Sequence, residues 1–171
     1  MAIVSAGITS TDRKGIEEIL RSTEFFYEYE IQTALEIADE TLEKGSEKSG
    51  YFWMKIVDEE GLEAFANYGR NSFSTHSWDL YWIAVHSNSR NKSLGSVLLE
   101  AIEEDIRRSG GKILWIETSG RPLYKPTEAF YLRNGYELAA SLKDFYGPDD
   151  PKQIYRKDLQ GRPGSPGLSQ G

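Results

Sequence analysis

The stretch RNKSLGSVLLEAIEEDIRRSG, Arg90 to Gly110, joins a loop of small, polar and basic residues directly to an amphipathic helix pattern. Its apolar positions recur at helical spacing and predict one face that packs on the core. They are Leu94, Val97, Leu98, Ala101, Ile102 and Ile106. The other face should be charged, with Glu103–Arg107 and Glu104–Arg108 as ion pairs at four-residue spacing.

Two apolar segments flank this stretch. DLYWIAV, Asp79–Val85, precedes it and KILWIET, Lys112–Thr118, follows it. Both are apolar on both faces, which is typical of strands at the centre of a sheet. The order strand, loop, helix, strand predicts a right-handed crossover between two parallel strands.

The N-terminal part of the chain predicts two helices and a hairpin. A short helix should hold Ile16, Ile19 and Leu20, capped by Ser10 or Thr11. A longer helix is indicated by apolar residues at helical spacing and should end at a glycine. Its apolar residues are Ile31, Leu35, Ala38 and Leu42, and the glycine is Gly45. YFWMKIVD and LEAFANYGR, joined across residues 59–61, predict a hairpin of two strands.

After the second central strand we expect a short helix, two strands and a tail. The helix should cover residues 127–134, and the strands YELAASL and QIYRK should flank a loop, KDFYGPDDPK. We predict a single domain over residues 1–159. Residues 160–171, rich in Gly, Pro and Ser, predict a disordered tail or an expression remnant.

The amino-acid composition argues against several classes of function. A length of 171 residues suits one core, and 20 basic against 27 acidic residues give a net charge of -7. That balance argues against a nucleic-acid partner. The absence of cysteine excludes disulfides and a cysteine nucleophile, and two histidines with scattered acids give no metal-ligand spacing. No signal peptide or membrane-spanning run is evident, so we expect a soluble, cytoplasmic protein without a membrane partner.

The start of the Arg90–Gly110 stretch has the chemistry of an anion site. Arg90, Lys92 and the small residues Ser93, Gly95 and Ser96 surround the free N–H groups of a first helical turn. Those donors and the helix dipole favour a phosphate or pyrophosphate. The P-loop and dinucleotide fingerprints are both absent. An ordinary capped helix behind a surface turn is the structural alternative.

Two motifs resemble the GNAT family of N-acyltransferases. IAVHSNSRNKSLGSVLL is similar to its acyl-CoA pyrophosphate motif, Gln/Arg-x-x-Gly-x-Gly/Ala, with Arg90 first, Gly95 last and Ser93 in place of the first glycine. EAFYLRNGYE resembles its second motif, although Tyr124 stands where many members have asparagine. The resemblance covers most of residues 1–159.

The resemblance implies a fold and a cofactor. The fold is α/β (α+β), with a mixed, mostly antiparallel central sheet of about six to seven strands, a parallel splayed pair and about four flanking helices. The cosubstrate is acetyl-CoA: its pantetheine pairs with main-chain groups of strand DLYWIAV, its pyrophosphate binds the loop, and the Val85 N–H holds the oxyanion. The implied cofactor-binding residues are Ile83, Ala84, Val85, Arg90, Asn91, Lys92, Ser93, Leu94, Gly95 and Ser96.

The implied activity is transfer of the acetyl group to a primary amine by direct attack. Tyr131 is then the general acid for the coenzyme A thiolate, and its alternative role is a packed aromatic beside Phe130. Asp79 and Glu117 are candidates for the general base. His86, directly after the strand, should instead make an end-capping contact.

The acceptor is left open. The family builds its acceptor site from segments that here are Glu24–Tyr27, Trp78–Trp82 and Asp144–Asp150. Their aromatic and acidic residues favour a cationic amine, on a small molecule or a peptide. Two alternatives are a non-catalytic acyl-CoA sensor and an enzyme that uses a longer acyl-CoA. The oligomeric state is open between monomer and homodimer.

Overall fold

The computed structural model describes residues 2–160, and the predicted tail from residue 161 onward lies outside them. The helices are α1 (Asp12–Ser22), α2 (Glu28–Lys44), α3 (Ser46–Ser49), α4 (Leu94–Arg108) and α5 (Lys125–Arg133). The strands are β1 (Ile3–Ala6), β2 (Phe52–Asp58), β3 (Gly61–Arg70), β4 (Ser77–Val85), β5 (Ile113–Ser119), β6 (Glu137–Gly147) and β7 (Asp150–Asp158).

The strand order is β1-β2-β3-β4-β5-β7-β6, in a mixed sheet with one parallel pair. This confirms the predicted fold class. The described residues contain one α-helix more than expected, the four-residue α3. By its internal contacts the chain divides into two compact units, one of Met1–Gly69 and Leu80–Ile102, the other of Arg70–Asp79 and the chain from Glu103 onward. The single domain over residues 1–159 stays a prediction.

In the first unit, β1, β2 and β3 are antiparallel neighbours, and β2–β3 is the predicted hairpin. Helices α1 and α2 pack on it through apolar residues that are buried in one cluster. These are Ile16, Ile19, Leu20, Ile31, Ala34, Leu35 and Ala38 from the helices, with Trp53, Phe65 and Ala84 from the strands. The Trp53 indole N–H donates to the Thr41 hydroxyl at 3.0 Å, so its one polar group is satisfied within the core.

The end of α2 agrees with the sequence prediction, and the start of α1 does not. Helix α2 ends before Gly45, which has φ 82°, as predicted. Leu42, expected in its core stripe, is 37% exposed. Thr11 occupies the N-cap position of α1 but makes no side-chain cap; the Asp12 carboxylate instead accepts the Thr9 N–H at 2.7 Å. The prediction gave the position of the cap correctly, but a side-chain hydrogen bond from Ser10 or Thr11 was wrong. The capping contact comes instead from an acid in the first turn, which accepts an N–H of the preceding loop.

Helix α4 departs from its predicted faces. Val97 is 37% exposed, while Leu99 is fully buried. Glu103, expected on the charged face, is buried and accepts hydrogen bonds from the Tyr136 hydroxyl at 2.8 Å and the Lys157 ammonium at 2.9 Å. Glu103 thus binds Tyr136 and Lys157, and not Arg107 as predicted.

On the exposed side of α4, the predicted Glu104–Arg108 ion pair forms, at 3.6 Å. Arg107 lies 3.5 Å from Glu104 and donates to the Leu159 carbonyl at 2.7 Å. The C-terminal turn of α4 is therefore tied to the residue that follows β7.

In the second unit, β5, β7 and β6 are antiparallel neighbours. The predicted loop over residues 143–152 was wrong, because β6 runs to Gly147 and β7 starts at Asp150. Asp144 and Asp149 both have positive φ, 56° and 59°, and the Asp144 carboxylate accepts the Asp149 N–H at 2.9 Å. The Pro and Gly residues suggested a loop, but within this segment positive φ is confined to these two aspartates. The strands therefore continue up to a tight turn.

Candidate functional site

The β4–α4 loop has the tight backbone of an anion site, built without glycine at its bends. After β4 the chain makes a short 3₁₀ turn, Ser87–Ser89. Asn91 and Ser93 then adopt positive φ, 66° and 58°. Ser93 therefore takes the left-handed conformation that glycine adopts at no steric cost. Asparagine enters this region more readily than most residues.

Helix α4 begins at the end of this loop with free donors. The Val97 N–H donates to the Ser93 carbonyl at 3.1 Å and closes the first turn. By α-helix geometry the N–H groups of the three residues between them, Leu94, Gly95 and Ser96, have no carbonyl acceptor within the helix. Leu94 is buried, whereas Gly95 and Ser96 are half-buried and Arg90, Asn91, Lys92 and Ser93 are exposed. The first turn can thus accept an anion from the loop side.

Strand β4 has main-chain N–H groups that could pair with an extended ligand. The His86 N–H, directly after the strand, donates to the Glu63 carbonyl of β3 at 2.8 Å. Because successive residues of a strand direct their N–H groups to opposite sides, those of Ile83 and Val85 point away from β3. Ala84 packs its side chain in the buried cluster of the first unit.

One buried carboxylate beside the β4–α4 loop, Glu63, was not anticipated from the sequence. It is 6% exposed, and its Oε1 accepts the Ser89 hydroxyl at 3.1 Å and the Lys92 ammonium at 3.2 Å. The positive charge of Lys92, expected beside the pyrophosphate, is therefore paired with a buried acid. The only available signal was a single charge inside the otherwise apolar LEAFANY segment.

In the second unit, Tyr131 lies on α5 and is 3% exposed. Its ring centroid is 5.3 Å from Phe130, 5.9 Å from Tyr136 and 5.6 Å from Tyr155. Burial, and secondarily the nearby Tyr155, raises the pKa of the Tyr131 phenol above its ordinary value. Within residues 2–160 its hydroxyl forms no hydrogen bond. The side chain is thus a protonated phenol with an unused donor.

Asp79 and Glu117, the two candidate bases, differ in environment. Asp79 is half-buried, and its carboxylate accepts the Asn71 amide N–H at 3.2 Å. Burial first, and then the charge of Glu117, raises the pKa of Asp79. Glu117 is exposed and forms an ion pair of 2.9 Å with Lys152. Among the residues that the structure describes, Asp79 therefore lacks the cationic partner that Glu117 has.

The two histidines have structural contacts. The His86 Nδ1 accepts the Asn88 N–H at 3.1 Å, which confirms the predicted end-capping contact. His76 is exposed, with its Nδ1 3.3 Å from the Thr75 hydroxyl. Tyr124, in the place of the family's asparagine, precedes α5 and lies 5.5 Å under the Arg121 guanidinium.

The segments expected to form the acceptor site are aromatic in both units. In the first unit, Phe26 makes edge contacts with Phe25 and with Trp82, each at 5.3 Å. In the second unit, the Lys152 ammonium lies 4.4 Å from the Phe145 ring centroid. The acids there are partnered: Asp150 accepts the Ser119 hydroxyl and lies 3.5 Å from Arg121.

Two general properties bear on the class of protein. No helix in the described part of the chain is long and apolar enough to cross a membrane. Among residues 2–160, no three His, Asp or Glu side chains are grouped so that they could hold a metal ion.

Known proteins resemble this chain in sequence and in fold. The model of the acetyltransferase (GNAT) family matches residues 15–136. A protein from Desulfovibrio desulfuricans assigned to the same family is 34% identical, with a TM-score of 0.90 over 93% of this chain and 99% of that chain. A comparison with curated proteins returned no match.

More distant solved structures share the fold. An aminoglycoside 6'-N-acetyltransferase complexed with coenzyme A is 20% identical, with a TM-score of 0.74 over 94% of this chain and 99% of that chain. The ribosomal-protein-S18-alanine N-acetyltransferase from Escherichia coli is 18% identical, with a TM-score of 0.72 over 98% and 100% of the two chains. The match to the family model and the 34% identical relative each extend over most of the sequence. This chain therefore belongs to the GNAT family of acetyltransferases and is an acetyl-CoA-dependent acyltransferase.

Proposed function

We propose that this protein transfers the acetyl group of acetyl-CoA to a primary amine of a small molecule or a peptide. The observation that carries the proposal is the β4–α4 loop, where left-handed Asn91 and Ser93 precede a helical turn whose first three N–H groups have no carbonyl acceptor within the helix. Such a turn suits a pyrophosphate. Two proteins of the same fold act on amines of different size, an aminoglycoside and the alanine of a ribosomal protein.

Binding of the cosubstrate follows from the first unit. The N–H groups of Leu94, Gly95 and Ser96 bind the pyrophosphate, and the exposed Arg90 adds positive charge. The main-chain groups of Ile83 and Val85, which point away from β3, pair with the amides of pantetheine as an added strand would. This pairing fixes the direction of the arm that carries the thioester.

The reaction is a direct displacement at the thioester. The lone pair of the amine attacks the carbonyl carbon, and the carbonyl electrons move to the oxygen, which the Val85 N–H stabilises. The oxyanion then collapses, the C–S bond breaks and the thiolate of coenzyme A leaves. The amide has lost one proton from nitrogen, and coenzyme A gains one, so the reaction is balanced.

Tyr131 serves the leaving thiolate as general acid. Its raised pKa keeps the phenol protonated at neutral pH, and its hydroxyl has no other acceptor within residues 2–160. A thiol has a pKa of about 8.5, lower than the raised pKa of the Tyr131 phenol, so complete proton transfer is uphill. The phenol therefore acts mainly by donating a hydrogen bond as the negative charge develops on sulfur.

Asp79 is the better candidate for the base that takes the proton of the amine, directly or through water. Its pKa is raised by burial, whereas the carboxylate of Glu117 is paired with Lys152. A base with a pKa closer to neutrality accepts a proton more readily. We propose a cationic acceptor because aromatic rings such as Phe26 and Phe145 lie in the acceptor segments. We place the reaction in the cytoplasm, as the sequence predicts.

The test measures release of free coenzyme A from acetyl-CoA, with and without a pooled panel of amines and peptides. Amine-dependent release is expected, and dividing the pool then identifies the acceptor. If acetyl-CoA binds but no amine stimulates release, a series of longer acyl-CoA donors decides between another acyl group and a sensor. Either of those results would contradict acetyl transfer.

A charge test at Gly95 examines the binding site itself. Gly95→Glu and Gly95→Gln are nearly equal in size, and only the first places a negative charge at the first turn of α4. We expect Gly95→Glu to weaken coenzyme A binding at least tenfold more than Gly95→Gln, measured by titration calorimetry. Equal affinities for the two variants would show that the pyrophosphate binds elsewhere.

A further inference from the structure

Strand β3 contains a bulge whose extra residue is Glu63. In the β2–β3 register Ile56 lies opposite Ala64 and Val57 lies opposite Leu62, so Glu63 has no partner in β2. A bulge of this kind re-aims a side chain and is often found next to an active site. The carboxylate it re-aims is 6% exposed and lies under the β4–α4 loop, in the same compact unit.

Contacts from three residues of the loop converge on Glu63. The His86 N–H donates to its main-chain carbonyl at 2.8 Å. The Ser89 hydroxyl and the Lys92 ammonium both donate to its Oε1, at 3.1 and 3.2 Å. A further anchor lies at the start of the loop, where the Ser87 N–H donates to the Ser22 hydroxyl at 3.1 Å. The loop is thus anchored to other parts of the first unit at four residues, His86, Ser87, Ser89 and Lys92.

We propose that Glu63 is a positioning residue for acyl-CoA, acting through Ser89 and Lys92 and touching no substrate. It holds the loop so that Asn91 and Ser93 keep their left-handed conformations and the first turn of α4 stays open to the pyrophosphate. This inference rests on the proposed binding of acyl-CoA at that turn. It adds a residue outside both family motifs to the cofactor site.

The charges give Lys92 a defined part in the arrangement. A buried carboxylate near a pyrophosphate would repel it, and the Lys92 ammonium neutralises that carboxylate. Lys92 therefore supports cofactor binding through Glu63, and its own side chain remains more than half exposed, at 56%. The Glu60 N–H, a hydrogen bond with the Glu63 side chain and, to a smaller extent, the charge of Lys92 lower the pKa of the Asp58 carboxyl. Most, but not all, of the effect of Lys92 should therefore depend on the charge of Glu63.

The first experiment compares two acetyl donors, acetyl-CoA and S-acetylpantetheine, which lacks the pyrophosphate. We expect Glu63→Ala to lower the ratio of kcat/KM for acetyl-CoA to that for S-acetylpantetheine about tenfold, which corresponds to about 1.4 kcal/mol. Ser89→Ala should lower it less, because it removes one of the contacts. A fall of kcat/KM that is equal for both donors would mean a general structural role and overturn the proposal.

A matched control is Glu103→Ala in the second unit. Glu103 is likewise a buried carboxylate, and it too is bonded to a hydroxyl and a lysine. Its loss should lower stability and leave the donor ratio unaltered. If Glu103→Ala changed the donor ratio as much as Glu63→Ala, the ratio would report stability alone and the proposal would fail.

A double-mutant cycle keeps the proposal testable if Glu63→Ala does not fold. Glu63→Gln retains an acceptor oxygen for Ser89 and removes only the charge. By calorimetry with coenzyme A, we expect Lys92→Gln to weaken binding about tenfold alone and less than twofold in the Glu63→Gln background. The same loss in both backgrounds would show that Lys92 binds the phosphates directly.

The outcome for wild type separates this inference from the proposed function. If wild type does not bind coenzyme A, the proposed function fails. If wild type binds coenzyme A and both Glu63 variants bind it with the same affinity and the same donor ratio, only the positioning role fails.

Discussion

Replacing Tyr131 by Phe removes one oxygen atom and should separate catalysis from stability. The hydroxyl forms no hydrogen bond within residues 2–160 and the residue is 3% exposed. A hydroxyl that forms no hydrogen bond within the protein adds none to the folded state, so we expect the free energy of unfolding to stay within about 1 kcal/mol of wild type or to rise. As a general acid, the same hydroxyl contributes about 10²- to 10⁴-fold to the rate. This is about 2.7 to 5.5 kcal/mol of transition-state stabilisation.

Tyr136 supplies the matched control. It has the same 3% exposure and contacts the Tyr131 ring at 5.9 Å, but its hydroxyl donates to the buried Glu103 carboxylate at 2.8 Å. Tyr136→Phe should therefore cost about 1.5 to 3 kcal/mol of stability, the range for a hydrogen bond to a charged group. Its effect on kcat should be no more than a few-fold.

The assay is release of free coenzyme A at saturating acetyl-CoA with the amine pool, beside urea unfolding of the same preparations. The expected pattern is crossed: Tyr131→Phe loses turnover and keeps stability, whereas Tyr136→Phe loses stability and keeps turnover. In wild type, kcat should not fall through ionisation of Tyr131 below about pH 10, since burial raises its pKa above the ordinary phenol value. If Tyr131→Phe retained more than a tenth of the wild-type kcat, the general-acid role would be refuted.

Three further variants test other parts of the structure. Lys157→Met leaves Glu103 without its ammonium partner and should cost about 3 to 5 kcal/mol in urea unfolding; a free energy of unfolding equal to that of wild type would contradict this dependence of Glu103 on Lys157. The pKa of Asp79 is raised by burial, so its charge opposes folding as pH rises through that pKa. Asp79→Asn should therefore have a higher Tm than wild type at pH 7 but not at pH 3. If Asp79 is the general base, the same variant should also lose about 10²-fold in kcat, and an unchanged kcat would exclude that role. Gly69→Ala would place a Cβ 2.3 Å from the Gly50 carbonyl oxygen and should cost about 1 to 3 kcal/mol of thermal stability; a Tm equal to wild type would contradict that close approach.

The sequence predicted the elements that carry a strong local signal. The β2–β3 hairpin and the end of α2 at Gly45 were correct because turn residues interrupt clear periodic patterns. Strand β1, Ile3–Ala6, was not anticipated: three of its four residues are exposed, so no buried face marks it in the sequence. The predicted strands of the β6–β7 hairpin were too short because its Asp, Pro and Gly residues are typical of loops. In the structure, two aspartates with positive φ allow the strands to stay paired up to the turn.

In the candidate site, too, features that depend on neighbouring residues could be predicted, and features that depend on distant parts of the chain could not. Ser93 and Gly95 could be placed at a helix N-terminus because loop and helix are contiguous in the chain. The roles of Glu63 and Glu103 depend on partners 26 to 54 residues away, and no spacing rule finds such pairs. A glutamate in a strand or on a helix is ordinarily solvent-exposed. Only the fold shows that these two are buried.

The left-handed serine links the family resemblance to the physics of the loop. Where many GNAT members have glycine, Ser93 adopts φ 58° and carries a Cβ, a strain of roughly 1–2 kcal/mol for an L-residue. Such a conformation persists only when its surroundings over-determine it. Contacts of Ser89 and Lys92 with Glu63 restrain the loop immediately before Ser93, and the Val97 hydrogen bond restrains it immediately after. A chain with glycine at this position has less need of that support. The dependence of cofactor binding on Glu63 should therefore decrease when Ser93 is replaced by glycine.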